Sequence, residues 1–291
     1  MKKLVIFTDL DGTLLDHETY SFESAMPALQ MIKQNNIPLI LCSSKTRSEI
    51  EHYRKKLENV NPFISENGGG IFIPKACFDF DIKKYFSYCK KKFHPLGFDI
   101  AEKGRFFEEK DYCVVSLGSS YAALRKALKA LREEGFKIKG FGDMSTEEVS
   151  AITGLSISEA GMAKARYFDE PFIFQDDVNK IKILLEAIKA KGFNYTQGRL
   201  YHILGDNDKG KATEILIALY KKQFGRIITV ALGDSPNDIS MMKRVDCPIV
   251  IKKHDGKHDP KIRIQKRISA EGIGPAGWNQ AVLNLMKTIN F

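Results

Sequence analysis

The chain has 291 residues, of which 43% are hydrophobic and 28% are charged, and its formal net charge is +9. This length favours two domains, and the hydrophobic content excludes a chain that is disordered throughout. The sequence contains no run of about 18 apolar residues, so we predict neither a transmembrane helix nor a membrane partner. The five cysteines are scattered, which favours reduced thiols in a cytoplasmic protein over a disulfide or zinc framework.

The excess of lysine and arginine raises the question of whether the protein binds nucleic acid. The basic residues are spread along the chain, and the densest stretch, residues 83–92, alternates them with apolar residues as a solvated helix face would. No recognition motif of a nucleic-acid-binding fold accompanies the charge. We therefore expect the positive field to attract a small anionic substrate, and we expect no nucleic-acid partner.

The first predicted element is a buried β-strand at residues 4–7, because this apolar run is rich in strand formers and too short for a helix. Asp9 and Asp11 follow at a spacing of i, i+2, and Gly12 then permits a sharp turn. In an open α/β sheet, ligands bind just beyond the carboxyl ends of the strands. This position predicts a chemical role for both carboxylates, with an ordinary strand-end turn or the start of a calcium loop as the alternative.

A second strand end carries hydroxyl groups. Residues 24–33 have the apolar spacing of a helix, and residues 37–42 predict a second buried strand. This strand is followed by Ser43, Ser44, Lys45 and Thr46. A strand end that leads into a helix is a good anion-binding position. The alternative is that Ser44 or Thr46 only caps the next helix.

The next stretch, residues 62–74, predicts a hairpin whose turn contains Glu66, Asn67 and three consecutive glycines. From about residue 81 the sequence changes to an α+β pattern without internal repeats. Helices are predicted at residues 83–93, 122–134, 146–153, 158–165 and 178–191, and strands at 112–117, 136–140, 172–174, 193–196 and 199–204. Because an α/β pattern resumes afterwards, residues 83–203 are predicted to be a domain inserted into a core formed by residues 1–82 and 204–291.

The resumed pattern adds a lysine and a third carboxylate at strand ends. Lys209 stands in a turn before a helix predicted over residues 212–222, although a helix start with solvated lysines is the alternative reading. A strand predicted over residues 227–232 then leads into a turn that contains Asp234, Asn237 and Asp238. Residues 251–259 are expected to form a flexible loop that is not a metal site, and Trp278 is expected to pack the last helix onto the core.

The stretch Asp9-Leu-Asp11-Gly-Thr13 resembles the first motif of the haloacid-dehalogenase-like phosphohydrolases, and the other strand-end motifs follow in that family's order. The resemblance implies a doubly wound, Rossmann-like α/β core with a parallel sheet and an inserted α+β cap of the C2B type. It also implies that Asp9 is the nucleophile, which forms an aspartyl-phosphate, and that Asp11 is the general acid/base. A carboxylate can attack phosphorus, while a second acid protonates the leaving group and later deprotonates water.

The family's other motifs imply roles for the remaining polar residues. Ser43, with Ser44 beside it, is expected to bind the transferring phosphoryl group, and Lys209 is expected to balance charge on that group and on the nucleophile. Because two carboxylates would repel a phosphate, Mg²⁺ is expected to bridge them. Its expected site comprises Asp9, Asp11, Asp234, Asn237 and Asp238. The Glu66-Asn67 turn resembles the substrate-facing turn of large-cap members, with a plain hairpin turn as the alternative.

Three stretches, around Lys45, Arg166 and Arg199, are similar to the mannosyl-3-phosphoglycerate phosphatase branch of the family. This resemblance implies hydrolysis of mannosyl-3-phosphoglycerate to the compatible solute mannosylglycerate and phosphate. Arginine forks and lysine suit its phosphate and carboxylate groups, so these three residues are the expected substrate contacts. Phosphatases of glucosyl-3-phosphoglycerate, sucrose phosphate or other sugar phosphates are the alternatives. A ligand-binding protein on an inactive scaffold is disfavoured by the retained aspartates and lysine, and His202 is expected to be a packed strand residue.

Overall fold

The computed structural model describes residues 2–91 and 105–288. Its strands are β1 (Lys3–Thr8), β2 (Leu39–Cys42), β3 (Phe63–Ser65), β4 (Gly70–Pro74), β5 (Arg105–Glu108), β6 (Tyr112–Ser116), β7 (Ile138–Gly140), β8 (Asp169–Phe174), β9 (Asn194–Gln197), β10 (Tyr201–Leu204), β11 (Ile227–Gly233), β12 (Cys247–Lys252) and β13 (Ile268–Ile273). Its α-helices are α1 (Met26–Gln34), α2 (Arg47–Lys56), α3 (Ile82–Lys91), α4 (Tyr121–Glu133), α5 (Thr146–Thr153), α6 (Ile157–Lys164), α7 (Ile181–Ala190), α8 (Lys209–Phe224), α9 (Ile239–Met242) and α10 (Gly274–Thr288). The last two residues of the helix predicted over 83–93 lie outside the described residues. None of the helices in the described ranges has the length and apolar character needed to cross a membrane.

Among the described residues, the larger sheet has nine strands in the order β13-β12-β11-β1-β2-β3-β4-β6-β5. The strands from β13 to β3 are parallel, and β4, β6 and β5 extend the sheet by antiparallel pairing. β1 lies inside the sheet, between β11 and β2. The carboxyl ends of the parallel strands therefore meet at one edge, which is where a doubly wound sheet places its ligands. The expected α/β class with a parallel core sheet is confirmed.

The continuous apolar run of β1 follows from its burial on both faces. Leu4 and Ile6 belong to one hydrophobic cluster, and Val5 and Phe7 belong to another. All four side chains are fully buried. Successive side chains of a strand point to opposite faces, so each face of β1 packs against its own layer of helices.

Within the part of the chain that the structure describes, the second sheet has four antiparallel strands in the order β7-β8-β10-β9. Helix α4 buries Leu124, Ala127, Leu128 and Leu131, the spacing of one helix face. These residues form a separate cluster with Phe172 and with apolar side chains of α7 and β10. The smaller sheet and its helices therefore have a hydrophobic core of their own, as expected for an inserted α+β unit.

The strand positions bear on where the inserted unit begins. Residues 83–203 were assigned to it on the sequence pattern, but β5 and β6 lie within this range and pair with β4 in the larger sheet. If each strand is assigned to the unit whose sheet it joins, the inserted unit begins after Ser116, the end of β6. The chain returns to the core after Leu204, the end of β10. The division into residues 1–82, 83–203 and 204–291 stays a prediction, with this difference at its first boundary.

The last helix, α10, is anchored beneath the first motif by Trp278. This side chain is fully buried. Its indole Nε1 donates to the Thr8 hydroxyl at 2.9 Å, and that hydroxyl donates to the backbone oxygen of Asp9 at 2.8 Å. The expected packing of Trp278 is therefore observed, and it also supports the backbone that presents Asp9.

Candidate active site

A cavity of about 510 Å³ lies between the carboxyl edge of the larger sheet and the inserted unit. Its wall brings together residues that are far apart in the sequence. The core residues predicted for the site that line it are Asp9, Asp11, Ser44, Lys45, Asp234 and Asn237. From the inserted unit and the return to the core come Phe141, Arg166, Gln197, Arg199 and His202.

Asp9 is held at the end of β1 by the neighbouring strand and by a lysine. Its backbone N–H donates to the Leu232 oxygen of β11 at 2.9 Å, and Lys209 Nζ donates to its Oδ1 at 2.6 Å. Gly12 follows with φ +74°, and a Cβ at this position would lie 2.9 Å from Oδ2 of Asp234. The turn therefore requires glycine both for its backbone conformation and for the approach of the third carboxylate.

Lys209 is a buried cation shared by two carboxylates. Its Nζ lies 2.6 Å from Oδ1 of Asp9 and 2.6 Å from Oδ1 of Asp238. Burial acts to lower the pKa of Lys209, but Asp238 and Asp9 outweigh it and hold the pKa above its ordinary value. The lysine therefore stays charged beside Asp9. The sequence predicted Lys209 next to this carboxylate.

Asp238 uses both of its oxygens within the protein. Oδ1 accepts from Lys209, and Oδ2 accepts the backbone N–H groups of Asp234 at 3.1 Å and Ser235 at 3.0 Å. It thereby fixes the turn that presents Asp234. This arrangement matches the expected pairing of Asp238 with Lys209, and its role as a direct metal ligand stays a prediction.

The donor set fits Mg²⁺. Carboxylate oxygens of Asp9, Asp234 and Asp238 lie within 4.8 Å of one another. Burial raises the pKa of Asp9 well above its usual range, and it raises the pKa of Asp234 to about 7, in both cases with the negative charge of Asp238 adding to the effect. A cation would relieve this repulsion, and hard oxygen donors of this kind are those that Mg²⁺ prefers.

An unpaired amide oxygen adds to the same donor set. Asn237 Oδ1 is buried, and it has no hydrogen-bond partner in the part of the chain that the structure describes. Asn237 lines the cavity together with Asp9 and Asp234. A buried polar atom of this kind usually has a partner, so a bound cation is a natural one.

Asp11 is the more accessible of the two aspartates in the first motif. Its side chain is 36% exposed in the cavity, and Lys45 Nζ lies 3.0 Å from its Oδ1. Lys45 is itself almost buried, 3.5 Å from Glu49 Oε1 and above the ring of Tyr20. Asp11 is therefore accessible to a ligand in the cavity, and its acid/base role stays a prediction.

The two serines of the second motif lie at different depths. Ser44 lines the cavity, whereas Ser43 is fully buried and its Oγ accepts the backbone N–H of Lys45 at 3.1 Å. The helix cap is made by Thr46, whose hydroxyl accepts the N–H of Glu49 while the Glu49 carboxylate accepts the N–H of Thr46. Binding of the phosphoryl group by Ser43 and Ser44 stays a prediction.

Glu66 and Asn67 do not line the cavity. Glu66 is fully buried, and its carboxylate accepts the backbone N–H groups of Tyr167, Phe168 and Asp169 at the start of β8. Asn67 donates to Asp169 Oδ2 at 2.8 Å. The structure therefore uses this turn to dock the inserted unit onto the core. Direct substrate contact by either residue is a prediction that this placement does not favour.

The glycines after Asn67 explain the tightness of that docking. Gly68 has φ +87°, and a Cβ there would lie 2.1 Å from the backbone oxygen of Asp208. A Cβ on Gly69 or Gly70 would lie within 2.7 Å of Phe168. Only residues without a side chain permit the core turn to approach both α8 and β8 so closely.

The two candidate arginines have different surroundings. The Arg166 side chain is 5% exposed, and its Nη1 contacts Asp169 Oδ1 at 2.8 Å and the Ser44 backbone oxygen at 2.9 Å. Arg199 is exposed in the cavity wall and makes neither an ion pair nor a side-chain hydrogen bond within residues 2–91 and 105–288. Arg166 is therefore largely occupied, whereas Arg199 is available to a ligand.

The loop after β12 contributes to the cavity, which the sequence did not indicate. Lys253, His254, Asp259 and Lys261 line its wall, and the ring of His254 stacks on that of His17 with centroids 4.3 Å apart. Residues 251–259 were expected to form a flexible loop that is not a metal site, and this stays a prediction; the structure adds that the segment lines the cavity and that its first two residues end β12. β12 pairs with β11, so its carboxyl end lies at the same edge as Asp234, and recognising β12 as a strand would have placed the loop there.

A family model for haloacid dehalogenase-like hydrolases matches residues 6–255. The chain belongs to this family. Among its curated relatives, the glucosyl-3-phosphoglycerate/mannosyl-3-phosphoglycerate phosphatase of Methanococcoides burtonii is 48% identical over 286 residues, which cover 98% of this chain and 97% of the relative. The protein of the same name from Persephonella marina is 40% identical over 289 residues, 98% of each chain. The mannosyl-3-phosphoglycerate phosphatase of Pyrococcus horikoshii is 36% identical over 248 residues, 85% of this chain and 90% of the relative.

Solved structures with the same fold are more distant in sequence. Protein 0175 of Thermoplasma acidophilum superposes with a TM-score of 0.64 at 13% identity, covering 98% of each chain. The sucrose-phosphatase of Synechocystis superposes with a TM-score of 0.59 at 14% identity, again covering 98% of each chain. At this level of sequence identity, the structural similarity shows a shared fold and nothing about function. The resemblance that the strand-end motifs indicated is confirmed.

Proposed function

We propose that this haloacid dehalogenase-like hydrolase is a magnesium-dependent phosphatase that hydrolyses both mannosyl-3-phosphoglycerate and glucosyl-3-phosphoglycerate. The observation that carries the proposal is the 2.6 Å contact between buried Lys209 and Asp9 in the wall of a small-molecule cavity. It presents a charge-balanced carboxylate nucleophile to a ligand. Two relatives, at 48% and 40% identity, are named for both esters, so the glucosyl ester, first an alternative, is included with the mannosyl ester.

The proposed reaction has two displacements at phosphorus. In the first, a carboxylate oxygen of Asp9 attacks phosphorus, the bond from phosphorus to the glycerate oxygen breaks, and Asp11 gives that oxygen its proton. In the second, Asp11 takes a proton from a water molecule that attacks the aspartyl-phosphate, and the bond from phosphorus to Asp9 breaks. The products are the glycosylglycerate, inorganic phosphate and regenerated Asp9.

Charge balance is the contribution of the residues around Asp9. Lys209 keeps a positive charge beside the nucleophile throughout, because Asp238 holds its Nζ from the other side at 2.6 Å. Asp9, Asp234 and Asn237 would hold Mg²⁺, with Asp11 adjacent. When bound, Mg²⁺ would neutralise part of the negative charge that the carboxylates present to the phosphoryl group. Preorganised charges of this kind need no rearrangement during the reaction.

The cavity wall supports a substrate with a second anionic group. Its basic side chains come from both the core and the inserted unit: His17, Lys45, Arg166, Arg199, His202, Lys253, His254 and Lys261. His17 stacks on His254 with ring centroids 4.3 Å apart, and Arg199 lines the same cavity; burial lowers the pKa of His17, and the charges of His254 and Arg199 lower it further. A fork-shaped guanidinium suits a carboxylate, and we assign the glycerate carboxylate to Arg199 and this neighbourhood.

The size of the cavity supports a small ligand. Its volume of about 510 Å³ falls within the range of roughly 300–1,000 Å³ that is typical of small-molecule sites. The inserted unit lies over the carboxyl edge of the sheet and contributes part of the wall. This arrangement favours a sugar phosphate over a polymeric substrate, and it accords with the absence of a nucleic-acid recognition motif in the sequence.

The test is phosphate release from purified protein supplied with mannosyl-3-phosphoglycerate, first with Mg²⁺ and then with excess chelator. We expect turnover with Mg²⁺, none in chelator and recovery when Mg²⁺ is restored. Asp9→Asn should keep the melting temperature and lose turnover, because an amide cannot form the aspartyl-phosphate. Activity in chelator, or near wild-type turnover by Asp9→Asn, would contradict the proposed chemistry. Ligand binding without any turnover of a sugar phosphate would favour the alternative of an inactive scaffold.

A further inference from the structure

A line of hydrogen bonds runs from the inserted unit to the proposed metal site through two side-chain amides. Asp169 on β8 accepts from Nδ2 of Asn67 at 2.8 Å, and Oδ1 of Asn67 accepts from Nδ2 of Asn237 at 3.2 Å. Oδ1 of Asn237 is buried and, among the described residues, has no hydrogen-bond partner. The line therefore begins at a carboxylate of the inserted unit and ends at an unpaired oxygen in the cavity wall that also contains Asp234.

The direction of every hydrogen bond along this line is set by Asp169. An ionised carboxylate can only accept, so Asn67 must turn its NH₂ group toward Asp169. The oxygen of Asn67 then faces Asn237, which must in turn present its own NH₂ group. Only the oxygen of Asn237 is left for a further ligand. The orientation of both amides thus follows from donor and acceptor chemistry.

Asp169 is fixed in its ionised form by a buried cluster. Its side chain is fully buried, with Arg166 Nη1 2.8 Å from Oδ1 and His202 Nδ1 2.8 Å from Oδ2. Burial acts to raise the pKa of Asp169, but His202 and Arg166 outweigh it and leave the pKa below its ordinary value. The backbone N–H of Asp169 donates to Glu66 Oε2 at 2.9 Å, so the strand that carries the carboxylate is also tied to the core turn.

The turn that carries Asn67 has a costly backbone conformation. Glu66 and Asn67 have φ values of 48° and 55°, in the left-handed region that residues with a side chain rarely adopt. Their N–H groups donate to the backbone oxygens of Lys45 and Ser43, each at 3.0 Å. Strain of this kind concentrates at functional sites, where the surrounding structure enforces it. Here it aims the Asn67 side chain between Asp169 and Asn237.

We propose that Asp169 is a positioning residue, which acts through Asn67 to direct the amide oxygen of Asn237 toward the metal ion of the proposed reaction. This inference rests on the metal dependence of the proposed function. It adds that β8 of the inserted unit orients one ligand of a metal site whose ligands all belong to the core. Because Arg166 and His202 contact Asp169 and also line the cavity, one carboxylate joins the substrate-facing wall to the metal-binding turn.

The first experiment measures Mn²⁺ binding to substrate-free enzyme from the loss of the free-ion electron paramagnetic resonance signal. In Asp169→Asn the new amide can donate as well as accept, so Asn67 and Asn237 are free to reverse. We expect the dissociation constant for Mn²⁺ to rise roughly 10- to 100-fold, the usual effect of losing a group that orients a metal ligand. Circular dichroism melting checks that the variant is folded. Wild-type affinity in a folded Asp169→Asn protein would overturn the proposal.

A second experiment, in the Asn237→Asp variant, distinguishes an effect on amide orientation from an effect on packing. Asn237→Asp places two equivalent oxygens at position 237, so no reversal can remove the oxygen from the metal. In this background, Asp169→Asn should change the Mn²⁺ affinity by less than about twofold or improve it, because Asn67 now turns its NH₂ group to the new carboxylate. An equal loss of affinity in both backgrounds would mean that Asp169 acts through packing, and the proposal would fail.

His202→Gln is the matched control, since His202 contacts Asp169 but lies outside the line of amides. The His202→Gln variant should raise KM for the sugar phosphate, because His202 lines the cavity, and should leave the Mn²⁺ dissociation constant within about twofold of wild type. A loss of Mn²⁺ affinity as large as that of Asp169→Asn would contradict the proposal. Because Mn²⁺ binding is measured without substrate, a wild-type enzyme that binds Mn²⁺ but fails to hydrolyse either ester would contradict the proposed substrates alone.

Discussion

Replacing Arg199 with alanine should remove a contact to the substrate and leave the fold unchanged. Arg199 is exposed in the cavity wall, and within residues 2–91 and 105–288 it makes neither an ion pair nor a side-chain hydrogen bond. Its loss therefore removes no contact that stabilises the protein. We expect the melting temperature of Arg199→Ala to stay within about 2 °C of wild type.

The expected effect on catalysis follows from the charge of the group that Arg199 is proposed to bind. A hydrogen bond to a charged group contributes about 1.5–3 kcal/mol, which corresponds to roughly 10- to 200-fold in kcat/KM. Because the arginine is exposed and solvent screens its charge, we expect the lower part of that range, roughly 10- to 30-fold, for mannosyl-3-phosphoglycerate. For p-nitrophenyl phosphate, which has no carboxylate, the loss should be less than about threefold.

The assay is steady-state phosphate release by wild type, Arg199→Ala and Arg199→Lys on both substrates at one Mg²⁺ concentration. Arg199→Lys keeps the charge without the planar fork, so it should fall between the other two on the glycosyl ester. Equal losses on both substrates would refute the assignment of Arg199 to the carboxylate. Full activity of Arg199→Ala on the glycosyl ester would do the same.

Two further substitutions test the acid/base role of Asp11 and the buried ion pair of Arg166. Asp11→Asn should lower kcat for a poor leaving group by about 10²–10⁴-fold, and a loss below about threefold in a pre-steady-state assay would exclude its acid/base role. Arg166→Ala leaves the buried carboxylate of Asp169 without its arginine partner, which contacts it at 2.8 Å. The free energy of unfolding in urea should fall by about 3–5 kcal/mol, and a value within about 0.5 kcal/mol of wild type would show that this ion pair contributes little.

The residues at the carboxyl ends of parallel strands were the most predictable part of the site. Asp9 and Asp234 each follow an apolar run, and β1 and β11 pair in parallel, so the two carboxylates must meet at one edge. Lys209 was predicted from its match to the family's third motif, in a turn before a helix where the chain returns to the core. For the two aspartates, the local pattern determined the strand, and the sheet geometry determined the meeting point.

Contacts between the two units could not be predicted, because they join residues that no local pattern relates. Asn67 was interpreted as a substrate contact, yet its partners are Asp169 and Asn237, each more than a hundred positions away. The glycines after Asn67 indicated a turn, but Gly68 is required by the close approach of Asp208, and Gly69 and Gly70 by that of Phe168. β5 and β6 join the core sheet although a helix separates them from β4 in the sequence. Neither their length nor their composition indicates which sheet they join.

The central claim, hydrolysis of both glycosyl-3-phosphoglycerates, is tested most directly by kcat/KM on a panel of phosphate esters at saturating Mg²⁺. The panel contains mannosyl- and glucosyl-3-phosphoglycerate, 3-phosphoglycerate, mannose 6-phosphate and sucrose 6′-phosphate. Recognition of both the glycerate carboxylate and the sugar predicts that the two glycosyl esters exceed every other substrate by at least about tenfold, the worth of one charge-assisted hydrogen bond. A higher kcat/KM for sucrose 6′-phosphate or mannose 6-phosphate than for either glycosyl ester would contradict it.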